Sequence, residues 1–130
     1  MIAEQLADYL SQTYSNVFEN YQPDTPDALI VVNDESAPIE DVSQIYGVDN
    51  FGAQVIVRDL DQRTARNKTN DIYADLVGKY DYTLSEGGYL IQVTTVSTMP
   101  SPIGMDDKNR HEFTVHFIFR VTNQTSERTY

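Results

Sequence analysis

The chain has no cysteine and no tryptophan. The first absence excludes disulfides, a thiolate metal site and a cysteine nucleophile. The second counts against a sugar-binding groove, which is usually rich in aromatic rings. Acid pairs such as Asp34-Glu35 and Glu40-Asp41 are therefore poor candidates for glycoside hydrolysis. The nine tyrosines read more simply as partly buried residues with wet hydroxyls. No Gly-rich phosphate loop and no nucleophile elbow is present. Asp59-Leu60-Asp61 starts like a calcium loop, but the downstream glycine and glutamate are missing. No apolar run is long enough to cross a membrane, and "MIAEQLADYL" lacks the basic flank of a signal peptide. The sequons at Asn67 and Asn123 then read as chance matches. These readings predict no cofactor, no metal and no catalytic residue.

Positive charge is also scarce. Nine Lys/Arg stand against 20 Asp/Glu, a net charge of −11. Residues 1–60 hold eleven acids and one base, Arg58, a balance of −10. Residues 61–130 hold nine acids and eight bases, a balance of −1. Sequence-specific nucleic-acid binding needs clustered Lys/Arg for its phosphate contacts, so that class is not expected. Two readings of the acidic half stay open: a solvated surface, or a face that repels nucleic acid or meets a basic partner.

What is present is a globular pattern. A chain of 130 residues reads as one domain with an ordinary apolar core. Ile2, Leu6, Tyr9, Leu10, Thr13 and Val17 have helical spacing and predict a helix over residues 2–20. "ALIVVN", Ala28 to Asn33, fits a strand buried on both faces. Residues 34–50 read as mostly loop, with Ile39, Val42, Ile45 and Val48 expected to dock on the core. In the next strand Phe51, Ala53, Val55 and Val57 share one face, and Gln54, Ile56 and Arg58 the other. Ala65, Thr69, Ile72, Leu76 and Tyr80 trace a helical stripe, with Asp61 or Asp59 as its N-cap. "YLIQVTTVS" predicts a strand with Tyr89, Ile91, Val93 and Thr95 on one face. Fourteen residues, Thr98 to His111, then read as a long loop. Its apolar Met99, Ile103 and Met105 either fold back on the core or cover another chain.

"DDKNRHEFTVHFIFRVTN" holds both histidines. From His111 its period is two, with Phe113, Val115, Phe117, Phe119 and Val121 on the apolar face. His111 and His116 are five apart and point to opposite faces, so they cannot chelate one metal from a regular strand. His111 reads as a strand-end residue and His116 as solvated beside Thr114. Asp106 and Asp107 read as loop acids, solvated or bonding local backbone amides. The expected fold is α+β: a mostly antiparallel or mixed four-stranded sheet, two helices on one face, and a long loop before the last strand.

Two segments carry a family likeness. "AQVIVRDLDQRTARNKTNDIYADL", Ala53 to Leu76, runs from a strand ending in Arg into a helix with an Ala/Arg start and an Ile…Leu stripe. "SPIGMDDKNRHEFTVHFIFRV", Ser101 to Val121, is a long loop with an acidic, Gly/Asn-rich turn closing on an aromatic strand. Together they resemble tail terminator proteins of long-tailed bacteriophages, a group that includes minor capsid proteins. Asn109 stands where the family often has glycine, which a left-handed backbone would tolerate.

The resemblance implies a virion structural protein, assembled in the host cytoplasm. Such proteins form a hexameric ring on the tail tube, stop its growth and bind the head-completion protein, while duplex DNA passes through unbound. It implies protein-contact residues at Met99, Ile103, Met105, Asp106, Asp107 and Arg110, and at Arg63 and Arg66. Subunit contacts would pair Arg58, Arg63, Arg66, Lys68 or Arg110 with a neighbour's acids. The competing readings are a neck or stopper protein, a small acidic α+β binding module, and a two-carboxylate hydrolase.

Overall fold

A computed structural model describes residues 2–37 and 48–122. Eight elements follow in order: α1 (Ala3–Ser11), β1 (Val17–Glu19), β2 (Leu29–Glu35), β3 (Val48–Asp59), α2 (Gln62–Leu76), β4 (Tyr80–Tyr82), β5 (Ile91–Met105) and β6 (His111–Thr122). The strands form one curled sheet in the order β1-β2-β3-β6-β5-β4. β1 and β2 are parallel, and every other neighbouring pair is antiparallel. The sheet thus has six strands where four were expected. The two extra ones, β1 and β4, have three residues each, too few to show a period.

Both helices pack on the same face. Leu6 and Leu10 of α1 and Ala65, Ile72 and Leu76 of α2 share one core with Ile30, Val55, Val57, Val115, Phe117 and Phe119 of the sheet. The expected alternations in β3 and β6 produce this face directly. β2 is buried on both sides, as its unbroken apolar run implies. Ile30 and Val32 enter the main core, while Leu29 and Val31 join Ile56 and Phe18 on the opposite face.

α1 is shorter than its sequence stripe. It ends at Ser11, and the chain then passes through left-handed Asn16 (φ 58°) and Asn20 (φ 52°) around β1. Asparagine tolerates that conformation better than most residues. Val17 therefore belongs to a strand. Asp34 of β2 accepts the Ala3 amide at 2.9 Å, since Ile2 offers α1 no cap of its own. In α2, Asp61 is the cap and accepts the Thr64 amide at 3.2 Å. Asp59 instead accepts the Asp61 amide at 2.9 Å. The buried stripe of α2 is Ala65, Thr69, Ile72 and Leu76. Tyr80 leaves it for β4 and is 70% exposed.

The largest difference lies in β5. The expected fourteen-residue loop is mostly strand: β5 runs on to Met105 and pairs with β6 as far as His111. Its period is broken by register shifts between Ile91 and Val93, Val96 and Thr98, Thr98 and Ser101, and Pro102 and Gly104. The first shift also overturns the expected shared face. Ile91, Thr94 and Val96 oppose the core residues Val121, Phe119 and Phe117, while Val93 and Thr95 oppose Arg120 and Ile118. The proposed docking of Ile39, Val42 and Ile45, the Glu40-Asp41 pair and the Asn123 sequon lie outside the described residues, as does the Val48 side chain.

Candidate assembly surface

The surface that stands out is the far end of the β5–β6 hairpin. β4 lies beside β5 only as far as Thr94, where Gly78 N–H donates to Thr94 O at 2.9 Å. Beyond that point the outer edge of β5 has no strand partner in the described sheet. Pro100 and Pro102 sit on this edge, where a missing N–H costs no ladder bond. Met99 is 58% exposed, Ile103 51% and Met105 60%. The expected folding back on the core is not seen: all three stand open to solvent.

A clasp holds the hairpin tip. Asp106 accepts the amides of Lys108 (3.0 Å) and Arg110 (2.9 Å) and Arg110 Nε (2.8 Å). Asn109 is left-handed, φ 61°, the conformation expected where the family often has glycine. Arg110 is 3% exposed. It also reaches the connector between β1 and β2, bonding Asp24 through its carbonyl and at 3.1 Å through Oδ1, with Asp27 Oδ1 at 3.4 Å. Lys108 pairs with Asp24 as well.

A second buried arginine grips the same connector. Arg58 donates to the carbonyls of Pro23 (3.0 Å), Asp24 (3.1 Å), Pro26 (2.7 Å) and Asp27 (3.2 Å). A planar guanidinium suits such a convergent set of oxygens. The electrostatics follow. Backbone donation from Arg110, with its side chain, holds the Asp106 carboxyl below the usual range. Lys108 and then Arg110 do the same for Asp24. Burial alone would lower the Arg110 pKa, but bonds from Asp106 and Asp24 raise it.

Met99, Ile103, Met105, Asp106 and Asp107 thus share one hairpin, with the apolar three and Asp107 open to solvent. Arg110 shares the hairpin, but its charge is engaged within its own chain, as is Arg58. Arg63 and Arg66 stand apart, exposed on α2, where with Asp61 and Gln62 they line a polar cleft of about 330 Å³. The expected solvated His116 bonds Glu35 Oε1 through Nδ1 at 2.8 Å. His111 and His116 lie on opposite faces of β6, as their spacing required. Among the described residues no group of His, Asp and Glu could hold a metal. The clasp escaped the sequence reading because Asp24 and Arg110 are 86 residues apart. The one local clue was an arginine, Arg58, directly after the apolar run Val55–Val57 of β3.

The fold is of the α+β class: two helices on one curled sheet, with exposed apolar residues along the β5 edge. The comparisons narrow this class. The family profile described as bacteriophage tail terminator protein matches residues 3–123. The chain belongs to the bacteriophage tail terminator family and is a structural protein of the virion tail. No curated protein matches it significantly. A chain in the virion of a native gene transfer agent particle has the same fold, with a TM-score of 0.57 at 19% identity over 94% of this chain and 92% of that one. A second solved chain has a TM-score of 0.57 at 16% identity, covering 93% and 90%.

Proposed function

We propose that the protein acts without catalysis, as a hexameric ring that caps the tail tube and joins the tail to the head. The observation that carries this reading is the β5 edge, where three large apolar residues are held open by a clasped hairpin. A solvated edge has little use for such a patch, and interface cores are enriched in methionine and apolar surface. Tail-tube and head-completion proteins are the partners. Met99, Ile103 and Met105, with Asp106 and Asp107 beside them, and Arg63 and Arg66 on α2 are the protein-contact residues. The net charge of −11 suits a channel that duplex DNA crosses without adhering, because like charge prevents phosphate contacts.

The test is a tube-growth assay with purified tail-tube protein. Added at less than one copy per tube subunit, the chain is expected to arrest elongation and sit at tube ends. A double variant, Met99→Asp with Ile103→Asp, is expected to fold and fail to arrest growth. Tubes that lengthen equally with and without the wild-type chain would contradict the reading.

A further inference from the structure

The uneven charge of the sequence becomes a spatial division in the fold. No Lys or Arg occurs before Arg58, and those first residues supply α1, β1 and β2, at one lateral end of the sheet. On that end Glu4, Asp8 and Glu19 are exposed. On the other face of β1, Phe18 packs against Leu29, Val31 and Ile56 and meets Tyr21 edge to face at 6.4 Å, with Tyr21 63% exposed. The outer edge of β1 has no strand partner in the described sheet.

The opposite end has the reverse character. Its edge is β5, with Met99, Ile103 and Met105. The positive charge comes from α2. Arg58 and Arg110 are consumed internally, but Arg63 and Arg66 are exposed and form no salt bridge among the described residues. They are three apart and share one flank of the helix. Asp75 lies on the other flank and accepts the Tyr9 hydroxyl of α1 at 2.6 Å. The arginine flank therefore faces away from α1, toward the β5 side. Two arginines near a helix N-terminus also oppose the helix dipole, and the first turn of α2 contains no acid.

We infer that the β5 edge of one copy, with Arg63 and Arg66, receives the α1–β1 edge of a second copy, with Glu4, Asp8, Glu19, Phe18 and Tyr21. Charge opposes charge, and methionine meets aromatic rings, a favourable pairing. The two surfaces are different and lie at opposite ends of the same sheet. Such a heterologous contact propagates from copy to copy, and a ring forms when the rotation between copies closes. It also relieves the repulsion of bringing copies of charge −11 together, since each junction sets two free cations against three acids. The inference rests on the ring reading and adds which surfaces build it.

The chain has no cysteine, so single thiols report the contact. Ser15 sits between α1 and β1, Ser97 lies on the β5 edge, and both are exposed. A Ser15→Cys chain mixed with a Ser97→Cys chain is expected to give mixed cross-linked dimers well in excess of like pairs. Reversing Arg63 and Arg66 to Glu on the Ser97→Cys chain is expected to cut the yield roughly tenfold. Adding Glu4→Lys, Asp8→Lys and Glu19→Lys to the Ser15→Cys chain is expected to restore it, which rules out misfolding. Like-pair dimers, or a yield indifferent to both reversals, would overturn the contact. If wild-type chains still show six-fold mass, the ring survives that result; if they do not, the ring reading fails with it.

Discussion

Arg58 and Arg110 act as two pins through one connector. Arg58 is 2% exposed and donates to four backbone carbonyls. Arg58→Ala leaves those oxygens without their donor and opens a void. A loss of about 3 kcal/mol is expected in denaturant unfolding. Lysine cannot reproduce the fork, so Arg58→Lys recovers only part of it. The Arg110 clasp makes a pH prediction. Asp24 and Asp106 have lowered folded pKa values. Such groups add stability above the ordinary carboxylate range, about 4, and lose it as pH falls through their lowered values. Thermal melts are expected to show stability falling from about pH 4 downward, with a smaller acid-dependent loss in Arg110→Ala. At this scale the sequence was legible where the neighbours are local: Asp61 as a cap, and Asn109 as a left-handed turn residue. It was silent on partners brought together only by the sheet, as with Asp24 and Arg110 or Glu35 and His116.

Among elements, β6 is the strand to which β3 and β5 both pair. Its Phe117 is 1% exposed in the main core. Phe117→Ala is expected to cost about 3–5 kcal/mol by chemical denaturation, the range for a large aromatic removed from a packed site. The β5 edge should behave in the opposite way. Met99→Asp with Ile103→Asp changes only exposed positions. Its folding stability is expected to stay within about 0.5 kcal/mol per site, while tube capping is lost. The pattern explains what could be read in advance. β6 and α2 each sustain one period over twelve and fifteen residues, so their buried faces were plain. β5 hides itself because Pro100, Pro102 and Gly104 imitate a loop and four register shifts disrupt its period. An edge strand tolerates both features, and they also blunt the edge against indiscriminate pairing.

Over the whole molecule, the acidic first half and the mixed second half map onto the two lateral ends of the sheet. Sequence alone gave this imbalance but not its geometry, because the strand order that separates the halves is set by long-range pairing. A chain divided in this way suits head-to-tail assembly and raises a salt prediction. Screening weakens contacts between exposed charges, so self-association is expected to weaken as ionic strength rises, while the apolar β5 edge retains part of it. The most direct test of the ring is mass by light scattering across concentration, with tail tubes present and negative-stain images of the same sample. The account predicts ring particles with six times the 14.8 kDa chain mass, free or seated on tube ends, with a pore wide enough for duplex DNA. A monomer or a two-fold dimer at every concentration, with tube ends left bare, would contradict it.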